Sequence, residues 1–253
     1  VEGHHAVHHL LSAARRPVHR IWVAEGRLAT GPLEEIAALA RRHGVAVDRK
    51  DKEALLAASL TGAPQGVIAW AAPVRAISLD ALLETAQPEP FLLVLDGVTD
   101  PGNFGALLRT AACAGAGGVV IGRHRSAPLT AAAVKSAAGA VELVPIAQVP
   151  GVPAALSQLP RAGVWVVGLH PDAEEDLWQS RSLDGPVALV LGAEGSGLSR
   201  LARQRCDALV RVPQSLTLGS LNVSAAAAVA CFEVSRRRMG LAGPAGRASG
   251  PPL

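Results

Sequence analysis

From residue 91 onward, short runs rich in Val, Leu and Ile alternate with segments of helical periodicity. The runs are Phe91–Leu95, Gly118–Ile121, Glu142–Ile146, Val164–Leu169, Val187–Leu191 and Leu209–Val212. Each is close to continuously apolar, which suits a strand buried on both faces, and strands separated by helices pair in parallel. The alternation therefore predicts an α/β domain over 91–239, a mostly parallel sheet clothed by helices and closed by a long helix at about Asn222–Arg238. A smaller α/β unit precedes it. Over residues 1–72 the spacing predicts a helix at His4–Ala14 and a strand at Val18–Ala24. A second helix is opened by Thr30-Gly31-Pro32 and stopped by Gly44, and further strands follow at Val45–Val47 and Gly66–Trp70. Residues 73–90 hold Pro73, Pro88 and Pro90 around the amphipathic stretch Leu79–Thr85 and read as a linker. The tail over 240–253, rich in Gly, Pro, Ala and Ser, is expected to lack fixed structure.

Charge and composition then narrow the functional classes. The chain carries a net charge of +3 and an isoelectric point near 9.1, a balance that favours a polyanionic partner. Six of the eight His stand before position 44, and Arg236, Arg237, Arg238 and Arg247 follow the last acidic residue, Glu233. On charge alone these clusters read equally as solvated faces or as RNA-facing ones. Aromatic residues make up only 3%, with no Tyr, which argues against a platform of stacked rings and leaves Arg, Lys and backbone groups to meet any RNA. Cys113, Cys206 and Cys231 are distant from one another and form no CxxC pair, so a reduced, cytoplasmic setting is expected, without disulfide or zinc knuckle. No apolar run approaches the roughly 20 residues of a membrane span. The pairs His4/His8 and His5/His9 have helical i,i+4 spacing, but no third ligand lies near them, and no metal is expected.

Three stretches carry polar groups in apolar surroundings. The first runs Asp96-Gly-Val-Thr-Asp-Pro-Gly-Asn103-Phe-Gly105-Ala-Leu-Leu-Arg109-Thr110, between a strand and a helix that Asp100 can cap and Pro101 can open. Asn103 and Arg109 are six positions apart, about 240° around an ideal helix, so they converge only if Asn103 lies in the entering loop. On pattern alone they also read as a turn residue and a solvated helix residue. The second stretch, Gly192-Ala-Glu194-Gly195-Ser-Gly197-Leu198, follows a buried strand. Its order is neither the dinucleotide fingerprint nor a phosphate loop, so it is either a tight turn or a loop that brings backbone close to a small ligand. The third, Val212-Pro213 followed by Gly219-Ser220-Leu221-Asn222-Val223-Ser224, enters the last helix, where Ser220 or Asn222 can act as cap.

Together the three resemble the SpoU–TrmH family of RNA ribose 2′-O-methyltransferases. Asp96, Asn103, Gly105, Arg109 and Thr110 match its first motif. Gly192, Glu194, Gly197 and Leu198 match the second. Val212, Pro213 and Ser220–Ser224 match the third. The resemblance extends over residues 1–72, similar to the family's ribosomal-protein-like RNA-binding domain. Asp96–Asn103 and Arg125-Ser126-Ala127 look closest to the subgroup that methylates a guanosine of 23S ribosomal RNA. The resemblance implies a trefoil knot in the C-terminal domain, S-adenosylmethionine as cofactor at Gly192, Val212 and Leu221, and a homodimer paired through the last helix. It also implies catalytic roles for Arg109, Asn103, Glu194, Ser220 and Asn222, with Arg109 as proton acceptor. A guanidinium holds its proton to above about pH 12, so an alternative is that Arg109 grips the ribose-phosphate while the proton leaves by another route. Where the family has Met and a nearby Gly after Val212-Pro213, this chain has Gln214-Ser215-Leu216-Thr217-Leu218. That departure leaves open an antibiotic-resistance or tRNA methyltransferase of the same family, and a non-catalytic ribosome-assembly protein is a further alternative.

Overall fold

The computed structural model describes residues 1–25, 31–124, 126–127, 129–214 and 221–240. In chain order the elements are α1 (His4–Ala13), β1 (Val18–Ala24), α2 (Pro32–Arg42), β2 (Val47–Lys50), α3 (Lys52–Ala58) and β3 (Val67–Ala71). There follow α4 (Leu79–Thr85), β4 (Phe91–Asp96), α5 (Pro101–Cys113), β5 (Gly118–Gly122), α6 (Ala131–Ser136), β6 (Ile146–Val149) and α7 (Val152–Leu156). The last are β7 (Trp165–Leu169), β8 (Glu175–Asp176), β9 (Val187–Gly192), α8 (Arg200–Gln204), β10 (Ala208–Arg211) and α9 (Val223–Arg238). These fall into two compact units. One contains Val1–Ala76, Asp100–Arg109 and Ala127–Pro145; the other contains Ile77–Thr99, Thr110–Ser126 and the chain from Ile146.

The first unit is built on a three-stranded sheet in the order β2-β1-β3, with β1 parallel to β2 and antiparallel to β3. Ile21 and Val23 alternate along β1 toward α1 and α2, where they meet Val7, Leu10, Leu11, Leu33 and Ile36 in one core. The sequence pattern does not announce α3. It forms because Asp51 caps it, accepting from the Ala54 N–H at 2.7 Å, and it buries a single large residue, Leu55. The expected strand at Val45–Val47 begins instead at Val47, because Gly44 turns the chain at φ 66° and the Val45 N–H still bonds Ala40 of α2. The expected strand at Glu142–Ile146 starts only at Ile146. Residues Ala140–Glu142 are a 3₁₀ turn entered through Gly139 at φ 95°. The turn places the Glu142 carboxylate, 3% exposed, against the Arg16 guanidinium, and a buried charge must meet its partner before the chain can extend.

The second unit is a seven-stranded sheet in the order β6-β5-β4-β9-β7-β10-β8, and every pairing among the described residues is parallel. Strands β5 and β9 are buried throughout and β4 up to Asp96, as unbroken apolar runs require when helices cover both faces. Leu79 and Leu82 of α4 join the core of this unit with Leu92, Val94, Leu156, Val166 and Val190. Burying each such Leu or Val contributes about 1.5–3 kcal/mol relative to exposure. The chain lays down β7 before β9, yet β9 lies between β4 and β7, so the C-terminal part returns to the centre of the sheet. The knot that the resemblance implies depends on the path through 215–220, outside the described residues, as does the tail beyond 240.

The arginines at the end of α9 are engaged within the second unit. Arg237 donates to Glu233, to Asp184 and to the backbone oxygens of Leu177, Trp178 and Ser180. Arg238 donates to the backbone oxygens of Glu89, Pro90 and Gly185, and Arg236 pairs with Glu233. This cluster staples the last helix to the loops beneath it.

Candidate active site

Three neighbouring strands of the second unit, β9, β7 and β10, end at a cavity of about 580 Å³. In open parallel sheets the carboxyl ends of the strands, where loops can diverge, are where ligands bind. The cavity is lined by Leu169–Asp172 after β7, Leu191–Gly197 at the end of β9, and Val210, Val212 and Gln214 along and after β10. Leu221–Val223 and Ala226 at the start of α9 complete it.

Its tightest wall is the loop after β9. A Cβ on Gly192 would stand 2.0–2.3 Å from backbone atoms of Gly197 and Leu198, so no other residue fits without moving the chain. Ala193 and Gly197 exchange backbone hydrogen bonds at 3.0 and 2.9 Å, and Gly195 and Gly197 take positive φ of 82° and 64°. The turn is thereby closed on itself, with Glu194, Gly195 and Ser196 at its tip. Asp96, at the end of β4, accepts from the Ser199 N–H at 2.7 Å and fastens the loop's exit to the adjoining strand. The Ser199 side chain in turn caps α8.

The opposite wall is set by Asn222. Its Oδ1 accepts from the Ser224 N–H at 2.9 Å, capping α9, and its Nδ2 donates to Glu194 Oε1 at 3.2 Å. One side chain thus fixes the start of the helix and orients the carboxylate at the tip of the glycine loop. Of the expected site residues, Gly192, Val212 and Leu221 line this cavity together with Glu194 and Asn222. Ser220 lies outside the described residues. The segment Leu169–Asp172 was not singled out by sequence; its position immediately after a buried strand was the available signal.

Asn103 and Arg109 both stand on α5, within the first unit. Asp100 Oδ1 accepts from the Asn103 N–H at 2.7 Å, so the cap lies ahead of Pro101 and Asn103 is in the first helical turn, not in the entering loop. The two side chains therefore leave α5 about 240° apart. Gly105 between them has a packing reason. A Cβ there would fall 2.4 Å from Ser136 Cβ and 2.6 Å from the Ala137 nitrogen, so α5 lies directly on the end of α6. Ser136 Oγ also donates to the Gly102 oxygen at 3.2 Å. Arg109 is exposed, one turn beyond this contact. Among the described residues no group of three or more His, Cys, Asp or Glu is placed to hold a metal ion.

Comparison with known proteins places this geometry. Residues 90–232 match the SpoU rRNA methylase family, and residues 1–77 match the RNA 2′-O ribose methyltransferase substrate-binding family. The chain is 41% identical over 241 residues to the 23S rRNA (guanosine-2′-O-)-methyltransferase RlmB of Pseudomonas putida, covering 94% of this chain and 96% of that one. It is 40% identical over 242 residues to the protein of the same name from Vibrio cholerae, covering 94% and 97%. Among solved structures it resembles the AdoMet-bound rRNA methyltransferase of Sinorhizobium meliloti, with a TM-score of 0.75, 27% identity and coverage of 94% and 87%. The SpoU methyltransferase AviRb of Streptomyces viridochromogenes, solved with AdoMet, shares the fold at a TM-score of 0.79, 23% identity and coverage of 95% and 90%. The chain belongs to the SpoU rRNA methylase family.

Proposed function

We propose that this chain methylates the ribose 2′-hydroxyl of a guanosine in 23S ribosomal RNA, using S-adenosylmethionine. The observation that carries the proposal is the convergence of the second and third motif segments on one cavity at the carboxyl ends of β9, β7 and β10. Relatives over 90% of whose length is matched bear the name of that activity.

The cavity suits the cofactor. Its volume falls in the range of about 300–1,000 Å³ usual for small-molecule sites, and its lining mixes apolar side chains with a few polar groups. Val212, Leu221 and Ala226 would receive the adenosyl portion, and the close-packed Gly192 loop would present backbone groups to it. Glu194 and Asp172 supply negative charge toward a cationic ligand. When bound, S-adenosylmethionine would supply a methyl group on a sulfonium: the O–C bond to the ribose oxygen forms as the S–C bond breaks to leave a neutral thioether, and the hydroxyl proton passes to water. What the protein must add is orientation, and holding reactants in line provides most of the rate in such a reaction. Arg109 is assigned to the ribose and its phosphate and Glu194, bonded to Asn222, to the cofactor loop; the role that the resemblance gives Asn103 is kept apart from that of Arg109, since the two leave α5 about 240° apart. Asn222 braces the cofactor loops, and the same role for Ser220 is carried by the family resemblance alone.

The remaining assignments follow the same reading. Residues 1–72 are assigned as the RNA substrate-binding domain and 91–239 as the methyltransferase domain, a division that the two family matches support; of the connecting stretch 73–90, α4 packs in the core of the second unit. A homodimer through α9 is supported by Phe232, 50% exposed, on a helix whose first turns are Ser224-Ala-Ala-Ala-Ala228. Small residues let a second helix approach closely. No helix among the described residues is long and apolar enough to cross a membrane. The cytoplasm is assigned from the proposed substrate, ribosomal RNA.

The test is methyl transfer from isotopically labelled S-adenosylmethionine to unmodified 23S rRNA, followed by mapping of the label. The proposal expects one 2′-O-methylguanosine. Label on a base, label appearing only in tRNA, or no label with folded dimer present would refute it.

A further inference from the structure

The chain has four Trp, three Phe and no Tyr, yet two of the four Trp meet on one face of the three-stranded sheet. Trp22 of β1 and Trp70 of β3 have ring centroids 4.7 Å apart, edge to face. The register explains the encounter. Trp70 pairs with Arg20 and Trp22 with Ile68 across the β1–β3 ladder, and residues paired across a ladder share a face. Ile21 and Val23 point the other way, into the core under α1 and α2.

Two cations lie over these rings. The Arg20 guanidinium carbon is 4.6 Å from the Trp70 centroid and 5.4 Å from that of Trp22, and Lys50 Nζ at the end of β2 is 5.0 Å from Trp22. Both are within cation–π range. Arg20 is exposed while the two indoles are half-buried. Neither Arg20 nor Lys50 has a carboxylate within ion-pair distance among the described residues. The one exposed carboxylate that the register sets on this face is Asp48, opposite Trp22.

A guanidinium held over a ring by cation–π attraction keeps its fork of N–H groups available to a ligand. That fork matches a phosphate bidentately, and the ring contacts restrict the long side chain before any ligand arrives. We infer that Arg20, held over Trp22 and Trp70 with Lys50 beside it, is a preformed contact for the sugar–phosphate backbone of the RNA substrate. The inference rests on the RNA-methylating reading above and adds to it a named surface. An acidic protein segment would use the charges but would have no need of a guanidinium held in place over two indoles.

The test uses the full chain and a 23S rRNA fragment, with affinity measured across a range of salt concentrations. Arg20→Ala is expected to weaken RNA binding roughly tenfold and to lower the slope of log affinity against log salt by about one, leaving S-adenosylmethionine affinity and melting temperature unchanged. Arg20→Lys is expected to restore the slope but not the affinity, since charge returns without the fork. Trp70→Leu removes no charge and is expected to weaken binding with the slope unchanged. Wild-type RNA affinity in Arg20→Ala, or in Trp70→Leu, would overturn the inference and leave the methyltransferase reading standing. A wild-type chain that fails to methylate 23S rRNA at all would remove the reading itself, a result visible before any variant is made.

Discussion

The glycine loop after β9 and the Trp22–Trp70 face of the N-terminal sheet are both proposed to meet ligands, but they are built by opposite means. The loop is a matter of backbone. Gly192 has no room for a Cβ, Gly195 and Gly197 hold φ values that other residues resist, and Asn222 reaches across to secure the tip. The sheet face is a matter of side chains. Arg20, Lys50, Trp22 and Trp70 come from three strands and from positions up to 50 residues apart. A backbone site is fixed by local steric demands. A side-chain site is fixed by register, which no local pattern prescribes.

The first way to break this comparison is at Arg109, where a single side chain is asked to serve the reacting ribose. Arg109→Ala is expected to reduce single-turnover methylation by about 10³-fold, equivalent to about 4 kcal/mol, with cofactor affinity intact. Arg109→Lys separates charge from geometry. Substantial activity in the Lys variant would make Arg109 a simple electrostatic anchor, and near wild-type activity in the Ala variant would remove it from the mechanism. Next in size is Glu233, 6% exposed and bonded to both Arg236 and Arg237. Removing this charge by Glu233→Gln, which leaves Arg237 with Asp184 and three backbone oxygens, is expected to cost about 2 kcal/mol in urea unfolding at pH 7. Hydrogen bonding from Arg236, outweighing burial and aided by Arg237, holds the Glu233 carboxyl below its ordinary value of 4.5. Its stabilisation is therefore present above that value and lost as pH falls through the folded pKa, so the gap between wild type and variant should narrow on the acid side. A gap that stayed constant down to pH 3 would contradict the assignment.

The smallest effect sharpens the comparison most finely. Asn222→Ala removes a helix cap and is expected to cost about 1 kcal/mol of stability. Asn222→Ser keeps a capping oxygen but loses the amide that reaches Glu194, so it should recover most of the stability without restoring cofactor affinity. Equal recovery of both would mean that the Asn222–Glu194 contact does nothing for the site.

The same contrast explains what the sequence made legible. The parallel sheet was readable because doubly buried strands must be apolar throughout, and β1 has the bounds that its pattern indicates. The amphipathic stretch Leu79–Thr85 reads as part of a linker and instead forms α4, with Leu79 and Leu82 in the core of the second unit. The glycine loop was readable as a place of close backbone approach, but whether as a bare turn or as a ligand loop was settled by no pattern; the steric demand at Gly192 is visible only in three dimensions. The turn at Ala140–Glu142 was not, since the partner of Glu142 is Arg16, 126 positions earlier. The arginines ending α9 look like a solvated or RNA-facing cluster and instead bind backbone oxygens around positions 89 and 180, contacts that charge counting cannot register. Scarcity of aromatic residues argued against stacked rings, but scarcity does not disperse the few that remain. Only the β1–β3 register could have brought Trp22 to Trp70.

The central claim is that the cavity beside Gly192 is the cofactor site and that its backbone makes it so. Calorimetric titration of S-adenosylmethionine into the wild-type chain and into Gly192→Ala tests this in one experiment, with circular dichroism to establish that both are folded. The account predicts one site per chain in the wild type and loss of measurable binding in the variant, because the added Cβ would meet the Gly197–Leu198 backbone at 2.0–2.3 Å and force the loop open. Equal affinity in the two folded proteins would contradict it.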